Sequence, residues 1–155
     1  MPSEAVPIEH AVAYHEAAHA VVAAVMGHDV YAVWVNSDGV SGEMWHRFPA
    51  SWLETRSGRL RDLVVTVAGT VAEAIVYGID EHGRLRELLD LLANISCEDE
   101  LDIELEGDGL AAARTVWDLS EDEREKDLRE AHRWAREILL SDWADVESIA
   151  RCIGP

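Results

Sequence analysis

The run "LRDLVVTVAGTVAEAIVYG", residues 60–78, most narrows what this chain can become. At 3.6 residues per turn its Val, Leu, Ala and Ile fall on nearly every side. Such a helix has no face for water and belongs at the centre of a core, with other elements packed round it. The residues before it, "SWLE" (Ser51 to Glu54), read as a capping box opening this helix or a pair of helices broken near Gly58.

Other helices are available to surround it. Ile8 to Met26 reads as one, entered at Pro7 and ended by Gly27. "RLRELLDLLANI" and "LAAARTVWDL" carry helical periods, and "SEDE" (Ser120 to Glu123) is a second capping box. The helix it opens buries Leu128, Ala131, Ala135, Ile138 and Leu139. A last helix from Asp142 carries Trp143, Val146, Ile149 and Ile153 at helical spacing. Between the first two helices the period shortens. Val30 to Val35 reads as a strand, Asn36 to Gly39 as a turn, and Val40 to His46 as a returning strand. "SCEDELDIELEGDG" holds seven carboxylates from Glu98 to Asp108 without an apolar face, and is read as a loop. The expected class is mainly α (α+β), one domain over residues 1–155 with a small β-hairpin or sheet.

Charge limits the partners. With 31 acidic and 13 basic residues the formal net charge is −18. That opposes binding to nucleic acid, which needs clustered Lys and Arg, and to an anionic membrane surface. Cys97 and Cys152 form no CxxC, no apolar run reaches membrane-spanning length, and the first residues lack the pattern of a signal peptide. A cytoplasmic protein with reduced thiols is the expectation.

The chemistry concentrates in "HEAAH", residues 15–19. On a helix His15 and His19 stand one turn apart on one face, so both imidazoles can reach one metal ion. Zinc takes neutral imidazole readily and, where catalytic, commonly has three protein ligands. Glu16 projects about 100° round the helix, beside the metal rather than on it, where a general base would stand. The competing reading is a core helix whose two histidines are buried and hydrogen-bonded. A helix otherwise of Ala and Val gains nothing from burying such groups unless something satisfies them.

Two longer stretches, "HEAAHAVVAAVMGHDVYAVWVNSDGVSG" and "VAGTVAEAIVYG", followed by "GDGLAAARTV", appear in an order that resembles the peptidase domain of the FtsH-type zinc metalloproteases. The resemblance covers about Val12 to Trp117 and implies a helical zincin-like fold, a bound Zn2+ and peptide-bond hydrolysis. By position it makes His15 and His19 the helix ligands, Glu16 the general base and Asp108 the third ligand. Asp102, Glu104 and Glu106 are alternatives to Asp108, and the other reading of Asp108 is a helix N-cap. Ala18 stands where the family usually has Gly, and Ala68, Gly69, Ala72, Glu73 and Gly78 fall on its second pattern. Glu73 is then a candidate to orient a metal-ligating histidine, or else a partly exposed carboxylate.

Val40 to Trp45 is the candidate edge on which a polypeptide substrate adds as a strand; the alternative is a hairpin that only covers the core. Because no GxxxxGK[ST] is present, the expected enzyme works on flexible or unfolded polypeptide without its own ATPase, as a homo-oligomer or with a separate unfoldase. A catalytically inactive binding or regulatory module of the same fold is the alternative, and a metal-free helical interaction protein a third.

Overall fold

The computed structural model describes residues 5–154. Its centre is the apolar run identified above, as one continuous helix α2 (Arg56–Tyr77). Val64, Ala68, Val71 and Ala72 along it are wholly buried. Helix α1 (Ala11–Val25) lies against α2 through small residues, with Ala17, Ala18, Val22 and Ala23 fully enclosed. Side chains this short let two helix axes approach closely. Helix α6 (Glu121–Ser141) covers another side of α2, and α7 (Trp143–Ile153) returns along α1. The five positions expected to be buried in α6 are buried, as are Trp143 and Val146 of α7. The fold is mainly helical with one two-stranded sheet.

Several boundaries differ from expectation. The first helix is preceded by a 3-10 turn, Ile8–His10, in which the His10 N–H donates to Pro7 O, so α1 proper starts at Ala11. "SWLE" does not cap α2. Pro49 starts a 3-10 turn over Ala50–Glu54 that already contains Ser51. Thr55 is the cap instead: it is extended, and its Oγ1 accepts the Gly58 N–H at 3.0 Å. That bond holds Gly58 inside the first turn, so no break occurs there.

Helix α3 (Glu81–Asn94) begins where Asp80 accepts the Gly83 N–H. The acidic stretch after it is not a plain loop. A 3-10 turn, Glu98–Glu100, leads into the short α4 (Leu101–Glu104), then α5 (Gly107–Val116). Leu101, fully buried, pulls the segment inward, while Arg114 pairs with Asp102 at 2.6 Å and Glu98 at 3.6 Å.

The sheet is an antiparallel hairpin of β1 (Asp29–Val35) and β2 (Gly42–Arg47), in register from Val35 opposite Gly42 to Asp29 opposite Arg47 with an irregularity at Tyr31. The second strand begins at Gly42 rather than Val40. The Asp38 carboxylate accepts the N–H groups of Val40 and Ser41 and keeps both in the turn. The hairpin packs on α1, and among the described residues the outer edge of β2 pairs with nothing.

Candidate metal centre

Helix α1 sets His15 and His19 on the face turned towards α2 and α5, with their Nε2 atoms 3.0 Å apart. Asp108 joins them from the first turn of α5, its Oδ2 lying 2.8 Å from His15 Nε2 and 2.9 Å from His19 Nε2. It is not the N-cap of α5: that position is Glu106, which makes no side-chain capping bond. Of the acidic candidates in this segment the fold brings Asp108 to the histidines. Asp102 is turned to Arg114, and Glu104 and Glu106 are exposed.

The far sides of the rings determine what the near sides present. His19 Nδ1 is 2.7 Å from Val65 O, and a carbonyl only accepts, so Nδ1 carries the proton. His15 Nδ1 donates to Glu73 Oε1 at 3.0 Å. Burial pushes the Glu73 pKa up, but the bond from His15 and the charge of Arg84 outweigh it and hold the carboxylate below its ordinary range. Glu73 is therefore ionised and able to accept. Both imidazoles then direct Nε2 lone pairs at the oxygen of an anion. Three electron-rich atoms separated by 2.8–3.0 Å repel one another unless a cation or protons lie among them.

With protons alone the cost appears as displaced titration. Burial lowers the His15 pKa, yet its bonds to Asp108 and Glu73 drive it up to about 10. Burial raises Asp108, but the bonds from His15 and His19 hold it well below the usual carboxylate range. A divalent ion meets the same demand without protons. Two imidazole nitrogens and one carboxylate oxygen form a donor set that zinc accepts. The observed triangle is slightly tighter than the edge of about 3.3 Å implied by bonds of about 2.0–2.1 Å.

Glu16 stands beside this triangle, 8% exposed, and takes no hydrogen bond from any described side chain or N–H. Burial raises its pKa; the nearby histidines pull it down, and Asp108 and Glu43 push it up again. A carboxylate raised in this way is a stronger base than an exposed one.

Two glycines give these side chains room, and sequence reasoning assigned neither that role. A Cβ on Gly69 would lie 2.4 Å from Cε1 and Nε2 of His15. A Cβ on Gly42 would lie 2.7 Å from Glu16 Cγ and 2.7 Å from Trp34 O. For Gly69 a signal was present, since glycine inside a helix costs about 1 kcal/mol against alanine and implies a packing reason. The Val65 carbonyl left no trace, because a main-chain atom has no residue identity. Beyond Asp108 a cavity of about 320 Å3 runs between α2, α3, α5 and α6, walled largely by Val67, Leu85, Leu88 and Leu128, with Arg84 and His132 also on its lining.

In comparisons with known proteins, no family model matches this chain and no curated protein is significantly similar to it.

Proposed function

We propose that the chain is a zinc-dependent metallopeptidase of the HExxH type, similar in plan to the FtsH peptidase domain, that hydrolyses peptide bonds of flexible or unfolded polypeptides. One observation carries the reading: His15 Nε2, His19 Nε2 and Asp108 Oδ2 converge within 3.0 Å while both Nδ1 atoms are tied off by acceptors. That pattern, a ligand nitrogen forward and an N–H fixed behind, is how proteins orient metal-bound imidazole.

His15, His19 and Asp108 would hold the ion. Zinc there supplies Lewis acidity towards a carbonyl oxygen and makes a nearby water more acidic. The protein's own residues do the rest. Glu16 accepts a proton from the attacking water and can return it to the leaving amine, and its burial keeps that proton transfer out of bulk solvent. Glu73 and Val65 O keep the two rings from turning. Gly42 brings the start of β2 directly against Glu16. A substrate paired with the free edge of β2 therefore runs past the carboxylate in extended form. An extended backbone is available in flexible or unfolded chains, which gives the substrate class. The apolar cavity next to Asp108 is of a size to take one of its large apolar side chains.

Glu16→Gln is the test. The variant should retain about one equivalent of zinc at this centre and lose at least about a hundredfold in hydrolysis of an unfolded casein-like substrate. Undiminished hydrolysis would remove Glu16 as the base. A wild type that binds zinc but cleaves nothing would favour a non-enzymatic binding module on the same fold.

A further inference from the structure

A second set of ligating side chains lies outside this centre. His28 lies three residues past the end of α1, its N–H donating to Ala23 O at 2.9 Å. His46 sits on β2 opposite Val30, and Asp62 on α2 one turn before Val65. Each offers one ligand atom, and the three atoms lie within 4.8 Å of one another. The elements that carry them were identified from the sequence; their meeting was not.

The protein alone leaves this cluster incomplete. The Nδ1 atoms of His28 and His46 face each other at 2.8 Å, a contact that two neutral rings make only by sharing one proton. His28 is 5% exposed, and its Nε2 is buried with no hydrogen-bond partner among the described residues. A flip of the ring would break the Nδ1 contact, so Nδ1 is the nitrogen His28 turns towards His46. The Asp62 carboxylate, half-buried, pairs with no described Lys or Arg and accepts no hydrogen bond from a described residue. Two Nδ1 atoms held in contact beside an unpaired, half-buried carboxylate are costly for the protein alone, and a cation shared among the three removes that cost.

We propose that His28, His46 and Asp62 form a second site for a divalent transition-metal ion, separate from His15, His19 and Asp108, which ties the β1–β2 hairpin to α2. Two imidazoles and a carboxylate suit zinc and its neighbours rather than calcium or magnesium. Phe48 stacks on the His28 ring with centroids 4.3 Å apart and Trp52 tilts against it at 5.7 Å. These rings form an apolar wall that excludes water and strengthens binding to the charged ion. Side-chain rotation must close the 4.8 Å limit to the separation of about 3.3 Å found between zinc ligands. Because β2 carries His46 and also the free edge beside Glu16, an ion here would stiffen the strand on which substrate is proposed to dock. The site itself does not depend on that reading.

Zinc is added to metal-stripped protein in equilibrium dialysis, and bound metal is counted by elemental analysis. Wild type should take up two equivalents. His46→Gln and Asp62→Asn, both at incompletely buried positions, should each weaken one of them at least tenfold and leave the other. His15→Gln should remove the complementary equivalent. Far-UV circular dichroism checks that each variant is folded. Zinc uptake unchanged in both His46→Gln and Asp62→Asn would overturn the proposal. Loss in these two with no loss in His15→Gln would sustain it and remove the first centre instead.

Discussion

Gly69 lies directly beneath the His15 ring, and the contact is tight enough to decide an experiment. A methyl group there would stand 2.4 Å from Nε2 of the ring and must push the ring away from Asp108. Alanine is intrinsically better than glycine in a helix by about 1 kcal/mol, so the helix itself is not harmed. Gly69→Ala should therefore keep its fold while its zinc affinity falls about 10- to 100-fold, the range seen when a ligating histidine loses its positioning. Competition against a chelator of known affinity measures this, and an unaltered affinity would show that the ring has another place to go. The sequence made His15, Glu16 and His19 legible because helical spacing converts directly into a shared face. Asp108 was singled out by the resemblance, with Asp102, Glu104 and Glu106 as alternatives. What decided among them was the buried Leu101 and the Arg114 pairs, tertiary contacts that fix how the acidic segment folds.

At the scale of elements, periodicity found every long helix and the hairpin, and the errors fell where local signals compete. Ser51 and Thr55 both precede helical residues and both could cap. Pro49 commits the chain to a 3-10 turn first, which leaves Thr55 as the last extended residue before α2. Thr55→Ala should thus cost about 1 kcal/mol in urea unfolding, the usual value of a lost N-cap. Ser51→Ala should change stability by less than about 0.5 kcal/mol, as surface substitutions do. Comparable losses from the two would return the cap to Ser51. The hairpin shows the same competition: Val40 has the composition of a strand, but the Asp38 carboxylate claims its N–H before β1 can.

For the whole molecule the question is how a chain with net charge −18 responds to acid. Protonating carboxylates relieves mutual repulsion, which favours the compact state as pH falls. His28 acts in the opposite direction. Its burial, reinforced by His46 and Arg61, lowers its pKa to about 4 in the folded protein, against an ordinary value near 6.5. Between those values the unfolded chain binds a proton that the folded one refuses, so this residue's contribution to stability is intact above pH 6.5 and declines as pH drops towards 4. Allowing for solvent that reaches the half-buried His46 and Asp62, the decline is roughly 1–2 kcal/mol. The two trends separate by difference. With chelator present to keep both histidine clusters free of metal, wild type should lose roughly 1 kcal/mol more between pH 7 and pH 5 in urea unfolding than His28→Gln. The surface carboxylates and the strongly raised His15 are common to both proteins and cancel. Should the substitution prevent folding, the NMR titration of the His28 ring in wild type reads the same quantity, with a midpoint near 4. A midpoint at 6 or above would mean that the ring is solvated, and that acid instability in this protein has its source elsewhere.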